Sequence, residues 1–166
     1  MIPHNMGTVS KAVYDTLHED LQIIVSWGLK KCAVDFSQYE GHRPVEKQLE
    51  YYKKGREINY ATGQWEVVNK KKVITNVDGI RIKGKHNYNP SMALDLRAYV
   101  PDKPQLTWDV KHITYIAASL VMIAEFLYDE GLIQHKLRWG SNWDFDGDLA
   151  DNRLVDIPHV ELYTPK

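Results

Sequence analysis

A chain of 166 residues, 43% of them hydrophobic, is long enough for one sizeable core, and its formal net charge of -1 gives no bulk attraction to nucleic acid. Its single cysteine, Cys32, excludes an internal disulfide framework, so folding needs no oxidising compartment. The start, MIPHNMGTVSKAV, has no basic stretch followed by an apolar one, and no run approaches the ~18 apolar residues of a membrane span, which leads us to expect cytoplasmic synthesis, no signal peptide and no stable membrane association.

Ser10 is placed to cap a first helix, whose apolar positions Val13, Leu17, Leu21, Ile24 and Val25 keep the helical period until Gly28. CAVDFSQYEG then reads as a short strand entering a turn. Pro44 suits the first turn of the helix VEKQLEYYKKG, which Gly55 ends, and Arg43 falls at the strand-to-helix junction with Gln48 nearby. The stretch 56–85 mixes Gly63, Asn69, Asn76 and Gly79 with the basic run Lys70, Lys71, Lys72, which predicts a long exposed loop or ribbon able to border a groove. In MALDLRAYV, Leu94 and Leu96 alternate with Asp95, so an apolar face packs while Asp95 points the other way. A helix from about Trp108, capped by Thr107, carries Ile113, Ile116, Ala117, Leu120, Ile123, Ala124 and Leu127 on one face before Gly131 and is the expected core helix. HVELY repeats the strand logic: Val160 and Leu162 inward, His159, Glu161 and Tyr163 on the opposite face. With no repeat, low-complexity tract or linker, the expectation is a single α+β domain over 1–166, a short mainly antiparallel sheet packed against helices, without a separate second module.

Two separated clusters are candidates to hold one metal ion: His86 with Asp95 in KHNYNPSMALDL, and Asp156 with His159 in VDIPHVEL. Two imidazoles and one carboxylate suit a catalytic zinc site rather than a closed structural one, because three ligands leave a position for water whose pKa the metal lowers to about 7. Singly each cluster is a weak signal, since neither is an HExxH motif and lone histidines usually serve core or surface roles. The two alternating strands strengthen it by offering Asp95 and His159 to one cleft. A second constellation, NWDFDGDLADN, places Asn142, Asp144, Asp146, Asp148 and Asp151 within ten residues around Gly147. Such dense oxygen donors suit calcium, although the glutamate that closes an EF-hand is absent and a solvated acidic loop reads equally well. Trp139, Trp143, Tyr88 and Tyr60 are candidates for a groove lining, with core packing the expected role for at least two of them.

The order EGHRPVEKQ, KHNYNPSMALDL, LRWGSNWDFDGD, VDIPHVEL resembles the phage endolysins of the D-alanyl-D-alanine carboxypeptidase and L-alanoyl-D-glutamate peptidase family, zinc enzymes of bacterial cell walls, over residues 36–162. The resemblance implies that His86, Asp95 and His159 bind zinc, that Asp156 is the general base, and that Arg43 orients substrate or stabilises developing negative charge. Glu161, on the same strand face as His159, competes with Asp156 as base or holds the imidazole's other nitrogen. Gly84 stands where relatives often have serine, and eight residues rather than roughly six separate His86 from Asp95, a difference the turn-forming segment 87–91 can absorb. The implied partner is peptidoglycan, the implied reaction hydrolysis of the L-alanyl-D-glutamate bond by a monomer, and the implied setting host-cell lysis and phage release, with the wall reached after the membrane is permeabilised. Some related endolysins respond to calcium through a loop placed like the acidic one, which makes Ca2+ a second expected cofactor beside Zn2+. Removal of terminal D-alanine is the alternative activity, and a noncatalytic metal-stabilised wall-binding or virion protein the alternative class.

Overall fold

The alternating pattern of ALDLRA sets the architecture. As strand β4 (Ala93–Ala98) it buries Leu94 and Leu96 completely and turns Asp95 to the opposite face. The structure is a computed structural model and describes residues 3–149 and 155–165. In chain order the other elements are α1 (Thr8–Tyr14), α2 (Glu19–Lys31), β1 (Phe36–Glu40), α3 (Val45–Lys53), β2 (Arg56–Asn59), β3 (Gln64–Val67), α4 (Val110–Asp129), β5 (Lys136–Trp139) and β6 (His159–Tyr163). β4 lies inside a four-stranded antiparallel sheet of order β1-β4-β6-β5, and β2 with β3 forms a separate hairpin. The fold is α+β, as the sequence predicts.

One face of the larger sheet is covered by α2 and α4, which pack on each other while α4 also crosses β4 and β5. Leu21, Ile24, Ile116, Leu120, Leu94 and Leu162 meet there with at most 1% of their surface exposed. α4 is long and apolar enough to cross a membrane by length and composition, whereas the sequence reading found no run approaching a span. Here its Ile113, Ile116, Ala117, Leu120, Ala124 and Leu127 are buried in the protein core.

Several predicted boundaries move, each for a local reason. The first predicted helix is two helices, with Ser10 buried inside α1 rather than capping it; α2 is capped instead by His18, whose Nδ1 accepts from the Asp20 amide at 3.2 Å. α2 also runs through Gly28 to Lys31. Gly28 serves close approach, since a Cβ there would lie 2.4 Å from Leu120 Cδ2 and 3.0 Å from Phe36 Cζ. Thr107 closes a 3-10 turn at Pro104–Leu106, so α4 starts later, capped by the Asp109 carboxylate accepting from the His112 amide at 3.0 Å. The stretch 56–85 is partly ribbon, the β2–β3 hairpin, followed by a segment pinned by Arg56, which donates to Tyr52 O, Thr75 O and Asn76 Oδ1.

The other sheet face carries the polar side chains. The β1–β4 register shifts between Gln38 and Glu40, so Gln38 pairs with Leu96 but Glu40 pairs with Asp95. This bulge transfers Glu40 from the core side to the polar side of the sheet.

Because Leu120 closes the contact between the two long helices, Leu120→Ala is expected to cost about 2–5 kcal/mol of stability in urea unfolding, and a loss below about 1 kcal/mol would place the core elsewhere.

Candidate metal centre

The β4–β6 register puts Asp95 directly opposite His159. His86 reaches the same point from a 3-10 turn at Lys85–Asn87. Its Nε2 lies 3.2 Å from Asp95 Oδ1 and 3.2 Å from His159 Nδ1, and His159 Nδ1 lies 3.0 Å from Asp95 Oδ1. Three ligand atoms therefore form a nearly equilateral triangle. Tetrahedral zinc with bonds of about 2.0–2.1 Å requires neighbouring donors about 3.3 Å apart, so the triangle fits that ion.

Hydrogen bonds on the far side of each ring fix which nitrogen faces inward. His86 Nδ1 donates to the Gly41 carbonyl at 2.7 Å, and His159 Nε2 donates to Glu161 Oε2 at 3.1 Å. In the neutral form each imidazole thus turns a bare lone pair toward the other and toward Asp95. Three lone pairs at this spacing repel unless a positive charge joins them. A proton can serve: burial disfavours charge on His159, but the bonds it donates to Asp95 and Glu161 outweigh burial and push its pKa up to about 9. Burial likewise opposes ionisation of Asp95 and Glu161, yet His159 and His86 hold the Asp95 carboxyl far below the usual range, and His159 with Arg138 holds Glu161 at about 2. A divalent ion satisfies the same demand with more charge.

The surrounding cleft, about 570 Å³, is lined by these residues together with Arg43, Gln48, Asp156, Trp143 and the segment 73–77. Asp156 is partly exposed; burial pushes its carboxyl pKa up, with His159 pulling it down and the negative Asp95 adding to the rise. Its backbone is locked by Asp156 N donating to Gly140 O at 2.8 Å and His159 N donating to Asp156 O at 3.1 Å. Gly140 admits this approach, because a Cβ there would lie 2.3 Å from Asp156 O. Arg43 donates from Nε and Nη2 to Glu40 Oε2, from Nη1 to Gln48 Oε1 at 3.0 Å, and from Nη2 to Asp95 Oδ2 at 3.5 Å. The guanidinium is anchored beside the centre. Both Glu161 oxygens are engaged, one by His159 and the other by Arg138.

The acidic loop has a different character. Asn142 Oδ1 accepts from the Gly147 amide at 3.4 Å and Asp146 Oδ1 from the Asp148 amide at 2.8 Å, while Asp144, Asp146 and Asp148 are exposed. These carboxylates do not gather into a three-ligand group among the described residues, and Asp151 lies outside those residues. Of the aromatics, Trp139 is core, Tyr60 is 91% exposed on the β2–β3 hairpin, and Trp143 tilts over His159 with ring centroids 5.6 Å apart.

A second cluster that the sequence reading missed, His18, Asp20 and His135, also brings three donor groups together. Its bonds are of another kind. Asp20 Oδ2 accepts from His135 Nδ1 at 2.7 Å and from the Gln134 and His135 amides at 3.0 Å, and His18 Nδ1 is taken by the Asp20 amide. Donors here meet acceptors, so Asp20 and His135 form a hydrogen-bonded tie between α2 and the segment entering β5.

Residues 2–163 match the family model of the phage L-alanyl-D-glutamate peptidases. The chain belongs to that family. Among solved structures, the crystal structure of the Serratia marcescens L-Ala D-Glu endopeptidase ChiX is similar at a TM-score of 0.58 and 20% identity, covering 94% of this chain and 87% of that one, a likeness of fold. No curated protein sequence matches significantly. Within this phage peptidase, Glu40, Gln48, Arg138, Gly140 and Trp143 adjoin the centre; all five fall inside the stretches that carry the resemblance, but the sequence placed only Gln48 and Trp143 near the site.

Zinc affinity, measured by chelator competition, is expected to fall by more than about a hundredfold in His159→Ala, beyond the loss typical of an outer-shell change. His135→Ala should leave zinc binding unchanged and cost about 1–3 kcal/mol of stability; the reverse pattern would exchange the roles of the two clusters.

Proposed function

We propose that this chain is a zinc-dependent peptidase that hydrolyses the L-alanyl-D-glutamate bond of peptidoglycan stem peptides, serving host-cell lysis and phage release. The observation that carries the reading is the triangle of inward lone pairs with a raised-pKa carboxylate in the same cleft, in a chain whose family match runs nearly end to end. His86 Nε2, Asp95 Oδ1 and His159 Nδ1 would hold zinc, which when bound supplies Lewis acidity toward a peptide carbonyl and lowers the pKa of water.

The chain's own groups divide the remaining work. Asp156 accepts the proton of the attacking water and returns one to the departing amine, a task helped by a carboxyl more basic than usual. Arg43, held by Glu40 and Gln48, presents a fixed positive charge to negative charge growing on the scissile carbonyl, or to a stem-peptide carboxylate. Glu161 orients His159 instead of acting as base, because its two oxygens are spent on His159 and Arg138.

Digestion of purified peptidoglycan followed by mass spectrometry tests the bond. New amino-terminal D-glutamate is expected; release of free D-alanine would identify a carboxypeptidase, and wall binding without cleavage a noncatalytic protein. Asp156→Asn is expected to lower kcat by about 10²–10⁴ with zinc retained. As a base, Asp156 works only when deprotonated, so its raised pKa moves the acid limb of kcat/KM upward from where an ordinary aspartate would set it, with activity lost as pH falls through it. That limb should vanish in Asp156→Asn, and its persistence would assign the base elsewhere.

A further inference from the structure

Arg138 stands on β5 directly across from Glu161 of β6. It donates to Glu161 Oε1, while the other oxygen of the same carboxylate accepts from His159 Nε2 at 3.1 Å. Its guanidinium carbon lies 5.1 Å from the centroid of the Trp143 ring and 5.8 Å from that of Phe145, and Nη1 reaches Trp143 O at 3.4 Å. Trp143 in turn covers one face of the His159 imidazole. Two routes thus run from Arg138 to one ring, a carboxylate at its edge and an indole on its face.

We propose that Arg138 is a positioning residue for the metal centre: by holding Glu161 against His159 Nε2 and Trp143 against the same imidazole, it sets how tightly the chain grips its ion. The proposal rests on the reading of His86, Asp95 and His159 as the ligand set. Glu161 is 6% exposed, and a buried carboxylate deprived of its cation turns away toward water because burial without compensation is costly. His159 then loses the acceptor that fixes its Nε2 hydrogen and the direction of Nδ1. Carboxylates in this position typically matter ten- to a hundredfold in metal affinity. Lysine replaces the charge but not the planar fork that reaches Glu161 and two aromatic rings at once.

The test is a double-mutant cycle on zinc affinity, read by chelator competition, with the ligand-field spectrum of the cobalt-loaded protein as a second readout. Arg138→Met is expected to weaken zinc about 10- to 100-fold and to alter the cobalt spectrum, and Arg138→Lys to recover part of the loss. Glu161→Gln should weaken zinc similarly, and adding Arg138→Met to it should cost clearly less than Arg138→Met costs alone, since only the route through Trp143 then remains to be lost. Arg138→Gln gives the same readout should Arg138→Met fail to fold. Wild-type affinity in both Arg138→Met and Arg138→Gln, or the full loss persisting on top of Glu161→Gln, overturns the proposal while leaving the ligand set standing. A wild-type chain that binds no zinc, or one that keeps its affinity in His159→Ala, overturns the ligand set and this proposal with it.

Discussion

Electrostatic convergence at one point governs this molecule: two imidazole lone pairs and a carboxylate oxygen are held 3.0–3.2 Å apart with their own protons committed elsewhere. The commitment is made by a main-chain carbonyl, Gly41 O, and by the Glu161 carboxylate, so each ring's orientation is fixed from behind. Such a triangle is unfavourable until a cation enters it. The fold must supply enough stability to hold it, and that comes from the opposite side of the same strands, where Leu94, Leu96, Val160 and Leu162 are completely buried.

This back-to-back arrangement explains why small backbone features matter so much. The irregular register near Gln38 and Glu40 moves a carboxylate onto the polar face, where it anchors Arg43. Gly140 lets the chain carrying Asp156 close to within a distance that no Cβ would tolerate. Both features lie beyond the three ligands, and both determine where charge stands around them.

The alternation of Leu94, Asp95, Leu96 and of His159, Val160, Glu161, Leu162 was legible in the sequence because a strand has a period of two, and a one-residue error would bury every polar group. Facing of the strands was therefore readable, while the direct pairing of Asp95 with His159 needed the topology. Helix limits were less readable. Apolar spacing continues unbroken through the α1–α2 junction, Gly28 can mark either a stop or a close contact, and Thr107 and Asp109 are both capping residues two positions apart. Glu40 and Arg138 gave no signal, since each acquires its partner only through a register between strands. The acidic loop is the least legible part: its composition invites a cation, Asn142 and Asp146 turn to backbone amides of the same loop, and Asp151 lies outside the described residues.

The most direct measurement is anomalous diffraction at the zinc edge from crystals of the zinc-loaded protein. One strong peak is expected about 2.0–2.1 Å from each of His86 Nε2, Asp95 Oδ1 and His159 Nδ1. A peak at His18, Asp20 and His135 instead, or imidazoles of His86 and His159 turned away from a common ion, would contradict that ligand set.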